Sequence, residues 1–334
     1  MNISPPGTFR PTGEVPPYGV LDVKVSPCNP YILYATTDIM GMWRSTDGGA
    51  SWAEISDLPT PISPGTLQIN PRDPNHMYSV GGVRGSSLGF WVSKDGGDHW
   101  VMPQGFLEKA NNAVGGWTND VYDVKPDPKN FDHVLLTFHS PFEFKEDAGV
   151  LESKDGGETW VRHDVGEPVG AGHTIWFMNN SDTWLLGTQT HGYYRTTDAG
   201  ETWKQVSTQD MLHGGTSIYL AKTGILYIGA NNRMLRSSDW GETFELVAPQ
   251  TQDGYYAIQG DGNFMYTARA NTGSSTGPED GYLVSEETDG VNWVPYNDQK
   301  FRDGPYRMSF DEKNRIIYSA NFNAGVWALK VKAP

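Results

Sequence analysis

A carboxylate near the start of the chain is the first residue that could do chemistry. Asp38 ends the stretch Tyr34-Ala-Thr-Thr-Asp38, at the predicted end of a strand. A carboxylate in such a place can act as a general base in a reaction that pairs it with a second carboxyl group as the acid. The candidate partners are Asp120, Glu143 and Asp303. The alternative is that Asp38 only hydrogen-bonds to loop backbone.

Histidines form the second candidate group. Four of the eight map to predicted loops at one end of their repeat units: His139, His173, His191 and His213. Histidines that share a cavity act as acid–base groups or as metal ligands. His173 and His191 belong to one unit, so their rings are expected to lie close together, and Tyr255 and Arg269 follow two units later. The alternative is ordinary loop hydrogen bonding; no cofactor is predicted, and a metal ion at these histidines stays an open question.

An internal repeat supplies the elements that must position these residues. An eight-residue pattern, Ser/Thr-x-Asp-x-Gly-x-x-Trp/Phe, begins at residues 45, 93, 153, 196 and 237, and a looser copy begins at 285. The five intervals span 240 residues, a mean of 48, so 334 residues hold close to seven units. Repeats of this length, rich in short strands and turns, are typical of β-propeller blades.

Each unit is predicted to contain four strands. In the first unit they cover residues 20–25, 31–36, 41–45 and 53–56, with alternating β-branched and aromatic residues between turn clusters. The octapeptide then lies between the third and fourth strands, where its Asp accepts hydrogen bonds from backbone N–H groups and its glycines adopt angles that other residues resist. The octapeptide aspartates are therefore predicted to be structural.

The octapeptide resembles the Asp-box (BNR) repeat of sialidases, sortilin-type receptors, photosystem assembly factors and xyloglucan-cleaving hydrolases. The resemblance implies an all-β fold, a single seven-bladed β-propeller with Asp-box repeats over residues 1–334. The predicted blades cover about 20–58, 65–103, 117–165, 171–207, 213–248, 253–296 and 304–331. The seventh is one strand short, and an N-terminal strand at about 3–10 is expected to close it.

The segment from Tyr34 to Gly41 resembles the opening blade of the xyloglucanases (glycoside hydrolase family 74), and this resemblance implies that Asp38 is the catalytic base. Met40 stands where that family usually has Gly, and those enzymes take the acid from a second propeller. The set His173, His191, Tyr255 and Arg269 is similar to the centres of propeller-fold polysaccharide lyases. Phe9-Arg10-Pro11 only loosely resembles the N-terminal Arg motif of sialidases.

The loops opposite the octapeptides are predicted to form a funnel that binds the ligand. The predicted substrate-binding residues are Arg84, Trp117, Asn119, His139, His213, Asn231, Tyr306 and Asn321, and the predicted catalytic residues are Asp38, Asp120, His173, His191, Tyr255 and Arg269.

Composition narrows the classes of partner. The net charge of −15 disfavours nucleic acid and anionic lipid, and the chain has no apolar run long enough to span a membrane and no signal-peptide pattern. The single Cys28 excludes an internal disulfide and leaves both a secreted and a cytoplasmic location open. A monomer that binds an oligo- or polysaccharide is expected.

The sequence thus predicts a carbohydrate-active enzyme that hydrolyses glycosidic bonds in its funnel. Two alternatives stay open: a polysaccharide lyase that acts by β-elimination on uronic-acid glycans, and a non-catalytic propeller that binds a glycan or a protein.

Overall fold

The computed structural model describes residues 1–9, 19–38, 40–55, 57–58, 64–81, 89–110, 121–138, 149–166, 172–212, 216–250, 254–270, 280–301 and 303–331. Within these ranges the chain forms 26 β-strands and one short α-helix. The strands make seven sheets, and within each sheet the spatial order of the strands is their order along the chain. The prediction of short antiparallel strands in seven successive units is therefore confirmed.

The first three sheets take up the N-terminal half of the chain. Sheet 1 contains β1 (Val20–Val25), β2 (Leu33–Thr37), β3 (Met42–Ser45) and β4 (Ala53–Ile55). Sheet 2 contains β5 (Pro64–Ile69), β6 (Met77–Gly81) and β7 (Gly89–Ser93), and helix α1 (Gln104–Ala110) follows it. Sheet 3 contains β8 (Val121–Asp127), β9 (Asn130–Phe138), β10 (Val150–Ser153) and β11 (Val161–His163).

Four further sheets follow. Sheet 4 contains β12 (Gly172–Phe177), β13 (Trp184–Thr188), β14 (Tyr193–Thr196) and β15 (Lys204–Ser207). Sheet 5 contains β16 (Ile218–Leu220), β17 (Leu226–Gly229), β18 (Met234–Ser237) and β19 (Glu245–Val247). Sheet 6 contains β20 (Ile258–Gly260), β21 (Phe264–Thr267), β22 (Asp280–Glu286) and β23 (Val294–Phe301). Sheet 7 contains β24 (Arg307–Asp311), β25 (Ile316–Ala320) and β26 (Val326–Lys330).

The chain divides into two compact units. Unit 1 comprises Met1–Asp38, Met42–Glu54 and Thr216–Pro334, and unit 2 comprises Ile39–Gly41 and Ile55–Gly215. Unit 1 therefore contains nearly all of sheet 1 and sheets 5–7, and unit 2 contains sheets 2–4. Each has apolar clusters of its own, around Tyr282 and Ile317 in unit 1 and around Tyr78 and Leu136 in unit 2.

Sheet 2 has three strands, and the expected fourth strand is reduced to one bridge. Val92 and Val101 exchange two backbone hydrogen bonds of 2.9 Å each. The next residue of the ladder that should donate an N–H is Pro103, which has none, so the pairing stops there. The carbonyl of Pro103 instead accepts from the N–H groups of Phe106 and Leu107 at the start of α1.

The octapeptide turns have the predicted hydrogen bonds. In the first, Asp47 Oδ1 accepts from the Ser51 N–H and from Ser45 Oγ, at 2.8 Å each, and Gly49 has a φ of 91°. The Ser51 side chain and N–H and the Ser45 hydroxyl lower the pKa of Asp47 to about 2. The turns at Asp95, Asp155, Asp198 and Asp239 repeat this arrangement. These carboxylates are held by their own turns, as expected of structural residues.

The N-terminal residues pair with β26. The Ile3 N–H donates to the Val326 carbonyl at 2.8 Å, and Asn2 forms a bridge with Trp327. Trp52, which ends the first octapeptide, donates its indole N–H to the Ile3 carbonyl at 2.7 Å. Ile3 is itself buried. The N-terminal segment thus covers the outer edge of sheet 7.

Candidate functional site

The ends of the second strands carry four of the predicted site residues of unit 1. Asp38 directly follows β2 and Asn321 directly follows β25, while Asn231 and Arg269 lie two residues beyond β17 and β21. All four residues follow the second strand of their sheet, in sheets 1, 7, 5 and 6 respectively. The repeat therefore places polar residues at one end of the sheets in unit 1.

A run of hydrogen bonds links these strand ends, and we call it the loop belt. The Tyr255 N–H donates to the Ala230 carbonyl at 3.1 Å, and the Ala270 N–H donates to the Gly254 carbonyl at 2.9 Å. The Gly304 N–H then donates to the Ala270 carbonyl, also at 2.9 Å. Sheets 5, 6 and 7 are thereby connected by main-chain contacts.

The loop belt continues through sheet 7 to sheet 1. Asn321 Nδ2 donates to the Asp303 carbonyl at 2.9 Å, and the Val20 N–H donates to the Phe322 carbonyl at 3.0 Å. The Asp38 N–H donates to the Gly19 carbonyl at 2.8 Å. The main chain of Asp38 is thus part of the belt, which ends at this residue.

Glycines permit the close packing of the loop belt. A Cβ added to Gly304 would lie 1.7 Å from the Arg269 carbonyl oxygen, and one added to Gly19 would lie 2.5 Å from the ring of Phe322. Neither contact is sterically possible, so both positions require glycine. Phe322 has a φ of 33°, an uncommon value for a residue with a side chain, and such strain often occurs in functional loops.

Carboxyl and guanidinium groups lie nearly buried along the same belt. Asp38 and Asp303 are each 4% exposed, Arg307 is 8% exposed and Asn321 is fully buried. Asn321 Oδ1 accepts from Ser319 Oγ at 2.6 Å. Fixed polar groups of this kind are preorganised, because few of their hydrogen bonds can be exchanged for water.

Three aromatic rings stack beside these groups. The centroids of Tyr256 and Tyr306 lie 4.3 Å apart with their planes at 15°, and those of Tyr306 and Phe322 lie 5.3 Å apart at 33°. Tyr306, a predicted substrate-binding residue, is therefore the central ring of an aromatic stack.

The other predicted residues of unit 1 lie in different environments. Tyr255 is fully buried in the apolar cluster of sheets 5 and 6, and its hydroxyl donates to the Pro249 carbonyl at 2.9 Å. Arg269 is half-buried and Asn231 is exposed.

In unit 2, His173 lies at a β-bulge. The register of β12 against β13 shifts between Gly172 and Thr174, which makes His173 the extra residue, and the register of β8 shifts in the same way at Tyr122. The two rings stack on each other with centroids 4.4 Å apart and planes at 30°. Two equivalent bulges in neighbouring sheets thus bring these rings together.

His191 is exposed in the turn between β13 and β14. Its ring Nδ1 lies 2.8 Å from Thr190 Oγ1, and its N–H donates to Thr188 Oγ1 at 3.1 Å. The Gln205 amide donates to its carbonyl at 2.8 Å. The backbone of His191 is therefore fixed, while its ring faces solvent.

Several predicted residues fall outside the described part of the chain. They are Arg84, Trp117, Asn119, Asp120, His139 and His213, together with Glu143. Among the residues that the structure does describe, no group of three or more His, Cys, Asp or Glu side chains could hold a metal ion. No helix in the described ranges is long and apolar enough to cross a membrane.

Sequence reasoning missed a buried ionic cluster in sheet 3. Glu152 lies 2.7 Å from His133 Nε2 and 3.1 Å from His163 Nε2, and His133 Nδ1 lies 3.4 Å from Asp127 Oδ2. Burial alone would raise the pKa of Glu152, but hydrogen bonds from the two imidazoles and the charge of Lys154 lower it well below its ordinary value. The available signal was Glu152 itself, a carboxylate inside the buried strand β10.

Comparisons with known proteins identify the fold, and the similar proteins have different functions. No family model matches the chain. An oligoxyloglucan-reducing end-specific xyloglucanase of Emericella nidulans is 27% identical over 197 residues, which are 55% of this chain and 23% of that protein. The chain thus matches about a quarter of the length of this curated relative.

Two solved structures resemble the whole chain. An ancestral GH74 enzyme superposes with a TM-score of 0.67 and 16% identity, over 94% of this chain and 45% of that one. A structure of YCF48 bound to D1 peptide superposes with a TM-score of 0.62 and 15% identity, over 100% of this chain and 97% of that one. Together with the seven sheets, these likenesses confirm the predicted fold class: the chain is an all-β, seven-bladed β-propeller.

Proposed function

We propose that the protein is a glycoside hydrolase that cleaves an oligo- or polysaccharide at the loop belt of unit 1. The observation that carries the proposal is that two nearly buried carboxylic acids, Asp38 and Asp303, lie on one hydrogen-bonded belt. The similarity of half the chain to a xyloglucanase supports the same reaction class.

The two carboxyl groups have separate roles in this proposal. Asp38 acts as general base and takes a proton from the attacking water. Asp303 acts as general acid and protonates the glycosidic oxygen, so that the sugar leaves as an alcohol and water bonds to the anomeric carbon. Asp303 takes the place of an acid that the xyloglucanases draw from a second propeller.

Neighbouring groups of the belt would bind the substrate. Asn231 is exposed and Arg269 is half-buried, so both could donate hydrogen bonds to sugar hydroxyls. Tyr306 is the central ring of the aromatic stack and could contact a sugar only with its edge. Asn321 is fully buried, and its amide holds the belt together instead.

The test is activity of the purified protein on a panel of neutral and uronic-acid polysaccharides, read by new reducing ends and by absorbance of unsaturated uronates. We expect reducing ends without absorbance, and a loss of about 10²–10⁴-fold in kcat for Asp38→Asn and for Asp303→Asn. Glu54→Gln, a change at an exposed carboxylate of sheet 1, is the control and should keep full activity. Full activity in both aspartate variants would refute the proposal.

Absorbance that disappears in His173→Ala or His191→Ala would instead identify a lyase. In that reaction an imidazole of unit 2 would remove the proton next to a uronate carboxylate.

A peptide-binding propeller is the second candidate. It is favoured by the match to YCF48 bound to D1 peptide, which covers both chains almost completely, whereas the match to the GH74 enzyme covers less than half of that enzyme. No product from any polysaccharide, together with saturable binding of peptides measured by calorimetry, would support this function.

A further inference from the structure

A cleft on the octapeptide side of unit 1 has no role in the proposed reaction. It has a volume of about 490 Å³ and lies among three turns of sheets 5 and 6. Lys222 lies in the β16–β17 turn, Asn263 in the β20–β21 turn and Thr288 in the β22–β23 turn. Phe264 begins β21 and Glu286 ends β22, next to these turns. We call it the turn-side cleft.

The sixth octapeptide explains why the cleft forms here. It runs from Ser285 to Trp293 and is one residue longer than the other five. Its Glu287 turns inward and accepts hydrogen bonds from the Lys222 and Gly262 N–H groups, at 2.9 Å each, and from the Tyr219 hydroxyl. A single buried carboxylate therefore ties the three turns together, which makes the walls of the cleft rigid.

Phe264 presents its ring inside this concave surface. It is 38% exposed, although it begins strand β21. Asp261 Oδ1 accepts from the Asn263 and Phe264 N–H groups at 2.9 and 2.8 Å, and Asp261 Oδ2 binds Arg315 Nη2 at 2.6 Å. The backbone under the ring is thus fixed, so little ordering is needed when a ligand binds.

Polar groups of several kinds surround the ring. A Cβ at Gly262 would lie 2.2 Å from Lys222 Nζ, so the ammonium group lies directly over that glycine. The Asn263 amide, the Glu286 carboxylate and the Thr288 hydroxyl complete the rim. An aromatic face ringed by donors and acceptors recognises a molecule with an apolar face and hydroxyl edges, which describes a pyranose.

Charge selects between neutral and acidic sugars. The cleft holds one ammonium group, that of Lys222, and two carboxylates, those of Glu286 and Glu287, and the whole chain carries a net charge of −15. A polyuronate would be repelled at long range without gaining a strong local site.

We propose that the turn-side cleft binds a neutral oligosaccharide, with one pyranose ring stacked on Phe264. The proposal rests on the proposed function for the substrate class, and it adds a second attachment point away from the loop belt. Binding at two places would raise the local concentration of a long polymer at the reactive site.

The test is native electrophoresis in gels that contain a neutral polysaccharide or polygalacturonate, with Asp38→Asn protein so that the polymer stays intact. Adding Phe264→Leu keeps apolar volume but removes the aromatic face, and should weaken retardation in the neutral gel about three- to tenfold. Phe264→Tyr should preserve retardation. The matched control is Tyr31→Leu, at an exposed aromatic residue in a turn of sheet 1 outside the cleft, and it should change nothing.

A direct readout separates the cleft from the loop belt. Hydrogen exchange at residues 261–265 should slow when a neutral oligosaccharide is added, and Phe264→Leu should abolish that protection. Equal retardation for Phe264→Leu and Tyr31→Leu, stronger retardation by polygalacturonate, or no retardation at all would overturn the proposal. If retardation depends on Phe264 but the wild-type protein hydrolyses no polysaccharide, the binding role of the cleft is supported and the proposed function is refuted. If the wild-type protein hydrolyses a polysaccharide but retardation does not depend on Phe264, the proposed function is supported and the binding role of the cleft is refuted.

Discussion

Replacing Glu152 by glutamine is expected to destabilise unit 2 severely while changing almost no volume. Glu152 is 4% exposed and accepts hydrogen bonds from the imidazoles of His133 and His163, and the Lys154 ammonium lies 3.2 Å away. A glutamine can still accept one imidazole N–H, but its amide N–H groups would face the other. One charge-assisted hydrogen bond is lost, and one buried donor is left without an acceptor.

The size of the effect follows from these two losses. A hydrogen bond to a charged group contributes about 1.5–3 kcal/mol, and a buried donor without a partner costs about 1–3 kcal/mol. We expect a loss of about 3–5 kcal/mol, the range found when one partner of a buried ion pair is removed. For a unit of about 160 residues, which is the size of unit 2, this corresponds to a fall in Tm of roughly 6–20 °C.

The pH dependence has a defined sign. The pKa of Glu152 is lower in the folded protein than in the unfolded chain. The contribution of its ionised form to the free energy of unfolding is therefore complete above the unfolded pKa of about 4.3, and it disappears as the pH falls through the lower pKa of the folded protein. Scanning calorimetry from pH 7 to pH 3 should therefore show the full Tm difference between the wild type and Glu152→Gln at neutral pH, and this Tm difference should become smaller below about pH 4.

The control is Glu158→Gln, because Glu158 is an exposed glutamate in the octapeptide that follows β10. The free energy of unfolding of Glu158→Gln should stay within about 0.5 kcal/mol of the wild-type value. A Glu152→Gln protein that melts within 2 °C (about 1 kcal/mol or less) of the wild type at pH 7, or a difference that widens on acidification, would refute the reasoning.

Three further predictions concern the scaffold. Gly304→Ala places a Cβ 1.7 Å from the Arg269 carbonyl and should lower the Tm and the hydrolytic rate together, since the loop belt must move. Trp52→Phe removes the indole hydrogen bond to the Ile3 carbonyl and should accelerate hydrogen exchange at the Ile3 amide, measured by mass spectrometry. Asp47→Asn should lower the Tm at pH 7, and the difference should shrink between about pH 4 and pH 2, because the folded pKa of Asp47 is about 2.

Matched variants test each of these three. Gly166→Ala has nothing within 4 Å of the added Cβ, but the φ of 82° strains an alanine, so this variant should lower the Tm and leave the hydrolytic rate unchanged. Trp203→Phe loses an indole bond to its own turn, at the Gly200 carbonyl, and should leave exchange at Ile3 as it is. Asp73→Asn changes an exposed residue in a turn of sheet 2, whose carboxylate accepts a hydrogen bond from the Asn75 N–H, and it should lower the Tm at pH 7 less than Asp47→Asn does. The opposite result in any pair would contradict the corresponding prediction.

The repeat predicted the fold because the information is local. An octapeptide such as Ser45 to Trp52 closes its own turn, and six copies at blade spacing are enough to imply seven sheets. The missing fourth strand of sheet 2 could also have been predicted, because Pro103 stands where an N–H is needed.

The site was less predictable because it depends on register and on contacts between sheets. The stack of His173 on Tyr122 arises from two bulges, and no pattern in the sequence fixes where a bulge falls. Glu152 meets His133 and His163 from different strands, so only the pairing of β9, β10 and β11 shows the cluster. The position of Asp38 after β2 was predictable, since the repeat fixes the strand ends.

The pairing of the N-terminal residues with β26 has a consequence for synthesis on the ribosome. Ile3 and Val326 are joined by a backbone hydrogen bond, yet 323 residues separate them along the chain. At about 5–20 residues per second, roughly 15–65 s pass between the translation of one and the other. During that interval Ile3 has no partner strand, and each new blade can be assembled beside the previous one without it. Contacts of such long range form slowly and late, so residues that precede the first blade take part in the last step, the closure of sheet 7.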